Sequence, residues 1–275
     1  MASLLPKTSE RLVPQQAHSR NDRLMVLRHL FAYEFAKRTL TGCESVLDLG
    51  CGEGYGTHRL SAGGGRIVGL DVDEQTIAHA NEQYETANCR FRCYDGERLP
   101  FEDETLDAVV SFQVIEHVPH DRLYVSEVAR VLRPGGCFIL TTPNAANRLK
   151  PGGKPWNQYH VREYRAAPLA ELLAEAFDRV EVSGITASPE VHEIEMARIR
   201  QSQKIVSLDP LGLRRLIPNR LKPLATSIVR RIVPRKHRDA TEEDWASRYS
   251  IDDYAVTKDD TDNCLDLLAI CRKSG

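Results

Sequence analysis

Val46-Leu47-Asp48-Leu49-Gly50-Cys51-Gly52-Glu53-Gly54, continued by Tyr55-Gly56-Thr57-His58-Arg59-Leu60, is the stretch that decides the fold. Its first four residues form a short apolar run bounded by glycine, which is the pattern of a buried strand in a parallel sheet. The alternating glycines at 50, 52 and 54 let the backbone turn tightly and approach a ligand lying across the start of the next helix. The following strand, Arg66-Ile67-Val68-Gly69-Leu70, stops at Asp71, about 20 residues past the first glycine, where a carboxylate can accept from both hydroxyls of a ribose. A ribosyl cofactor is implied.

Tyr55 stands where the dinucleotide fingerprint needs a third small residue, so pyrophosphate binding is disfavoured. The string VLDLGCGEGYG, followed by GLDVD, resembles the first two motifs of the class I S-adenosylmethionine (SAM) methyltransferases. The resemblance implies SAM as the cofactor, with Asp48, Gly50, Cys51, Gly52, Gly54, Asp71 and Val72 as its contacts. In that family an acid after the third strand and the residue behind it bind adenine, which here assigns Asp95 and Gly96, and Gln113 after the fourth strand joins the same set.

At 275 residues the chain is long enough to bury a substantial core, either as one large α/β domain or as a core with an insertion. A formal charge of −2 gives no global attraction to nucleic acid or membrane, so either partner would need a local patch. The seven cysteines form no CxxC pair and read as reduced, mostly buried thiols of a cytoplasmic protein. The N-terminal MASLLPKTSERLVPQQ has proline and charge where a secretory signal needs an apolar core, and no stretch approaches the ~18 apolar residues of a membrane span.

Residues 1–20 read as a flexible polar lead. From Arg23 to Leu40 apolar residues recur near helical spacing, predicting a helix on the sheet. Its HLFAYEFA segment resembles one that places an aromatic near the cofactor mouth, making Tyr33 either that residue or a packing tyrosine. Helices over 73–86, 121–132 and 168–177 alternate with strands over 89–94, 108–112, CFILTTPN and 179–184, with Arg133-Pro134-Gly135-Gly136 as a turn and 264–271 as a last strand. The alternation predicts a doubly wound sheet, and the resemblance implies the seven-stranded Rossmann-like methyltransferase form of it, its last strand antiparallel, here with a helical insertion before that strand. Residues 21–185 and 263–275 form the SAM-binding unit and 186–262 the charged insertion. Between 198 and 238 twelve basic residues face the single acid Asp209, and from 239 to 266 ten acids face Arg248 and Lys258. The basic half, interleaved with Leu, Ile and Val, suits peripheral contact with an anionic inner-membrane face, or it folds on the acidic half as a lid. It has no aromatic on which bases could stack, which disfavours nucleic acid.

Methyl transfer to a hydroxyl needs proximity, a dry site and a base. Gln113, Glu116 and His117 follow the fourth strand at spacings that would share one side of a helical turn, and His160, in a proline- and glycine-rich loop roofing the acceptor pocket, can face them. One reading makes His117 or His160 the general base, with Glu116 beside it. The other is a metal site, because VIEH with a distant histidine resembles the Glu-x-x-Glu-His-and-His set of the small-RNA 3′-end 2′-O-methyltransferases and, in part, the ubiquinone-pathway O-methyltransferases. Gln113 replaces their first glutamate, and an amide is a poorer ligand for a hard cation, so catalysis is assigned to His117, His160 and Glu116 with no resident metal.

The longest resemblance, carried by AYEFA, VLDLGCGEGYGTHRL, LPFEDETLDAVVSFQVIEHV, RVLRPGGCFILTTPN and NQYHVREY, is to SAM methyltransferases of bacterial glycan and surface-polysaccharide assembly. It implies O-methylation of a sugar or lipid-linked glycan. The rivals are a quinone-type phenol methylase, an RNA 2′-O-methylase and a non-catalytic SAM-binding partner of a biosynthetic complex.

Overall fold

The computed structural model describes residues 19–149, 153–157, 159–207 and 248–275, together with Pro14 and Ala17. The expected lead 1–20 therefore lies almost wholly outside the described residues, as does 208–247, which holds most of the basic stretch. Helix α1 (Arg20–Thr39) is capped by the Ser19 hydroxyl, which accepts from Asp22 N, and it buries Leu24, Leu27, Phe31, Tyr33 and Ala36. It precedes β1 (Ser45–Leu49), α2 (Tyr55–Ser61), β2 (Arg66–Asp71), α3 (Glu74–Tyr84), β3 (Cys89–Cys93) and β4 (Leu106–Phe112). After one 3₁₀ turn come α4 (Asp121–Val131), β5 (Leu132–Pro143), α5 (Ala145–Arg148), α6 (Ala166–Ala174), β6 (Arg179–Ala187), α7 (Pro189–Ser207), β7 (Tyr254–Thr257) and β8 (Asp266–Arg272).

The strands form one sheet in the order β3-β2-β1-β4-β5-β8-β6-β7. Strands β1 to β5 pair in parallel, and β8 lies antiparallel between β5 and β6. The chain thus runs outward from β1 in one direction, returns, and continues in the other. The switch between β1 and β4 opens the crevice at the carboxyl ends where doubly wound sheets bind ligands. All seven residues of β4 are buried, as a strand covered on both faces requires.

Two expectations need correction. The sheet has eight strands, not seven: β7, inside the stretch set aside as insertion, pairs with β6 through Gly184↔Thr257 to Ala187↔Tyr254. Its four residues are too few for a periodic signal to show in sequence. Arg133 to Gly136 do not separate helix from strand as a free turn, because β5 begins at Leu132 and absorbs them as a bulge between the Leu106↔Leu132 and Ala108↔Cys137 pairs, with Gly135 at φ 77°. The insertion is helical in α7, which packs on α1 and α5. All seven cysteines are free thiols, five of them buried.

Candidate active site

The glycine turn is built from three different demands. Gly50, Gly52 and Gly54 all have positive φ, at 80°, 53° and 86°. A Cβ on Gly50 would stand 2.4 Å from Val114 Cγ2, and one on Gly54 2.7 Å from the Phe91 ring, so these two are glycine because the core closes on them. A Cβ on Gly52 would meet nothing within 4 Å, which makes it the glycine that faces open space over the turn. The Gly50 and Cys51 amides donate to Leu70 O, and the Gly52 amide donates to Asp71 Oδ2 at 3.0 Å, tying the turn to the end of β2.

Beneath the turn, Asp48 is fully buried, and its Oδ2 accepts from Tyr33 Oη at 3.0 Å and Thr57 Oγ1 at 2.6 Å. Burial pushes this carboxyl up to about 7. Its Oδ1 is buried with no hydrogen-bond partner among the described residues. Tyr33 therefore does not close the cofactor mouth: it packs against Gly56 from below and orients Asp48. Four other residues of α1, Met25, Arg28, His29 and Ala32, line the cavity, and His29, one helical turn before Tyr33, has its Nδ1 2.5 Å from Tyr55 Oη. Desolvation holds this imidazole near 4, so it is neutral.

Along the crevice Val72 is 58% exposed, unusual for a large apolar side chain, and Gly96 lies beside it, where an added Cβ would come within 3.2 Å of Val72 Cγ1. Asp95 Oδ1 accepts from the Glu97 and Arg98 amides, and those bonds hold its carboxyl below the usual range. SAM fits this surface on four counts: the unpartnered Asp48 oxygen suits a cationic amino group, Gly52 leaves room at the backbone, Asp71 has lone pairs beyond its bonds to Gly52 N and Asp73 N, and Val72 offers an apolar wall to a purine.

The candidate proton-handling groups follow β4. Gln113 is not part of a helical face with Glu116 and His117, as the spacing suggested: its φ is 59°, and only Ile115–His117 make a single 3₁₀ turn. The left-handed residue reverses the chain sharply enough that all three still line one cavity of about 250 Å³. Gln113 is pinned to β5 through Thr141, by backbone at 2.9 Å and side chain at 3.3 Å. Glu116 is 1% exposed, and its Oε2 accepts from Thr142 Oγ1 at 3.0 Å; burial pushes its carboxyl up to about 8. The Glu116 carbonyl accepts from the Val161 amide, which ties the roof loop to the turn and brings His160 in.

His160 and His117 meet edge to face with ring centroids 4.8 Å apart. His117 Nδ1 lies 3.1 Å from Tyr159 O, and burial, then the neighbouring His160, lowers its pKa. His160 Nδ1 lies 2.7 Å from Glu163 Oε1, and both Glu163 oxygens accept from Arg148 Nε at 3.1 Å. Burial alone would raise the Glu163 carboxyl, but His160 and Arg148 outweigh it and hold it low, so it stays ionised. A carboxylate on Nδ1 fixes the tautomer and leaves Nε2 as the nitrogen that takes a proton. Ligand atoms of Glu116, His117 and His160 all lie within 4.8 Å of one another, the one such group among the described residues that could hold a metal ion.

The rest of the cavity wall carried no signal in sequence. Arg28, Arg148, Arg198, Asp266 and Trp156 line it, from five separate segments. Arg28 Nε pairs with Asp266 at 2.9 Å and its amino group with Glu195 at 3.4 Å, while Arg198 pairs with Glu195 at 2.8 Å. Glu163, within the quoted NQYHVREY, was within reach of sequence reasoning as the acid three residues after His160. The ion pairs were not, because their partners come together only when α7 crosses α1.

The family described as Methyltransferase domain matches residues 47–140, the span from β1 through most of β5. A probable SAM-dependent methyltransferase of Mycolicibacterium smegmatis is 40% identical over 181 residues, 66% of this chain and 68% of that protein. A phthiotriol/phenolphthiotriol dimycocerosates methyltransferase of Mycobacterium ulcerans is 32% identical over 128 residues, 44% of this chain and 47% of that one. A SAM-dependent methyltransferase structure from Thermotoga maritima superposes with a TM-score of 0.54 at 14% identity, covering 91% of this chain and 92% of that one, and shares the fold. With the glycine turn, the acid-tipped second strand and a relative of this similarity in agreement, the chain belongs to the SAM-dependent methyltransferases and is an enzyme that uses SAM.

Proposed function

We propose that the enzyme methylates a hydroxyl group of a sugar or lipid-linked glycan, with His160 as the general base. The observation that carries this reading is the Arg148–Glu163–His160 chain, which ends in a cavity shared with Gln113. SAM supplies a methyl group already activated by its positive sulfur. His160 Nε2 takes the proton of the acceptor O–H, and Glu163 compensates the imidazolium that forms. Glu116, neutral below about 8, adds no second negative charge beside the developing alkoxide. His117 crowds His160 and confines the acceptor. The M. ulcerans relative acts, by its name, on a triol-bearing lipid, which favours a hydroxyl acceptor linked to lipid.

The test is incubation with methyl-labelled SAM and separate polysaccharide, lipid and small-RNA fractions. Label in a polysaccharide or lipid fraction, lost in His160→Ala with SAM affinity retained, is the expected result. Label confined to RNA would overturn the acceptor class, and a His160→Ala enzyme of full activity would overturn the base. A second reading is favoured by the convergence of Glu116, His117 and His160, which would suit a divalent cation holding the acceptor oxygen. Loss of activity in EDTA, restored by Mg²⁺ or Mn²⁺, would select it over the metal-free base.

A further inference from the structure

The cavity that contains Gln113 and Glu116 is also walled by groups that proton transfer does not require. Arg28, Arg198 and Asp266 are there, with Trp156 and the far side of Arg148. The Asp266 and Arg148 side chains are 6–7% exposed, and that of Arg28 11%. Replacing buried ion pairs with well-packed apolar residues is often neutral or stabilising, so folding alone does not call for three guanidinium groups around one cavity.

Their arrangement defines a ligand. Each cation already has its anion: Arg28 has Asp266 and Glu195, Arg148 has Glu163, and Arg198 has Glu195. A phosphate or carboxylate entering this wall would find no uncompensated positive charge. Hydrogen-bonding capacity does remain. Arg148 engages Glu163 through Nε only, and its terminal amino groups make no hydrogen bond among the described residues. The Trp156 Nε1 is buried and likewise unpartnered among them. Asp266 offers acceptor lone pairs. The Arg148 guanidinium stands 4.6 Å over the Trp156 ring, so a flat apolar surface lies directly beside the polar groups. A ligand that matches must be uncharged, must both donate and accept at several points, and must present an apolar face. A planar phenol or quinone would leave the Arg148 amino groups and the Trp156 Nε1 without partners, which a polar pocket penalises heavily.

We infer that Arg28, Arg148, Trp156, Arg198 and Asp266 form a binding subsite for a neutral pyranose ring of the acceptor. The inference rests on the hydroxyl-methylation reading and deepens it: the enzyme recognises the sugar itself, and α7 from the charged insertion supplies part of the recognition.

The chain has two tryptophans, so in a Trp245→Phe background Trp156 is the sole indole reporter. With S-adenosylhomocysteine saturating, that protein is titrated with methyl hexopyranosides, with a catechol and with a hexose 6-phosphate, following Trp156 fluorescence. A saturable change with at least one neutral methyl hexopyranoside, tighter than with either control, is expected. Arg198→Gln in the same background should weaken it about tenfold, the loss of one such buried hydrogen bond. Measured well below the melting transition of both proteins, its S-adenosylhomocysteine affinity should match the parent, which separates recognition from any loss of stability at Glu195. No saturable response to any neutral hexopyranoside, tighter binding of the catechol or the phosphate, or an unaffected Arg198→Gln would overturn the subsite. Transfer of label to the polysaccharide fraction, measured in parallel, stands or falls separately and reports on the methylation reading alone.

Discussion

Asp71 holds the glycine turn through Gly52 N and orders the next turn through Asp73 N, so the carboxylate proposed to take the ribose also shapes the turn beside it. Leaving a buried diol without its acceptor costs about 1–3 kcal/mol, so Asp71→Ala should weaken SAM binding roughly 5- to 150-fold, read by calorimetry on the folded variant. Unchanged affinity would dismiss the ribose assignment. Asp48 makes a pH-dependent prediction. Its folded pKa is raised from 3.8 to about 7, so the free enzyme holds this proton more tightly than the unfolded chain does. The stability that proton confers is complete below 3.8 and is lost as pH rises through about 7, whereas a cationic amino group over Oδ1 favours the ionised form. SAM affinity should therefore climb between about pH 6 and 8, and Asp48→Asn should flatten that slope. At Glu163, replacement by Gln keeps a hydrogen bond to His160 but removes the charge that stabilises the imidazolium. The expectation is a kcat lower by about 10²–10⁴-fold, with KM for SAM unchanged and the acid limb of the pH–rate profile moved to lower pH. A purely structural Glu163 would leave the limb in place.

At the scale of elements, α7 matters most. It carries Arg198 into the cavity wall, pairs it with Glu195 behind, and docks Gln203 on the carbonyls of Asn147 and Arg148, just beyond β5. Its contact with α1 runs through Arg28, whose guanidinium compensates both Glu195 and Asp266. Removing one partner of a buried pair strands the other, at about 3–5 kcal/mol. Arg28→Met should lose that much in chemical denaturation, with its unfolding midpoint recovering in the Arg28→Met, Asp266→Leu double variant, where Glu195 keeps Arg198 as its partner. A single variant as stable as the parent would mean that the two acids are neutral in the fold. The roof loop obeys a similar logic, since Val161 N and Arg162 N both donate to Glu116 O and the Arg162 side chain donates to Pro119 O. The loop and the turn after β4 are thereby a single unit, which is what sets His160 beside His117, 43 residues earlier in the chain.

For the whole molecule, no helix among the described residues is long and apolar enough to cross a membrane, and a lipid-linked acceptor calls for a contact with the membrane surface. We propose that the basic residues of 198–238 make that contact. The protein should co-sediment with anionic vesicles at low salt, be released toward physiological ionic strength, and lose binding on charge reversal at Arg230 and Arg231 with SAM affinity unchanged. Absence of binding at low salt would remove the proposal. The sequence by itself determined the doubly wound alternation, the glycine turn and the acid that ends β2, because each follows from local patterns: apolar runs bounded by glycine, an acid at a strand end, periodicity within one helix; SAM and the antiparallel last strand followed from the resemblance that its motifs carry. It also named Glu116, His117 and His160, since two lie on one turn and the third in a loop whose composition marks it as a roof. Only the tertiary structure decided that Tyr33 supports Asp48 from below, that Gln113 stands in left-handed backbone, that an eighth strand completes the sheet edge, and that Glu163 backs His160. The charged wall of the cavity belongs to this second group. Its members, from Arg28 to Asp266, span nearly the whole chain, and ion pairs between residues so far apart leave no spacing to read; they exist only where folding has excluded water and brought each charge to its partner.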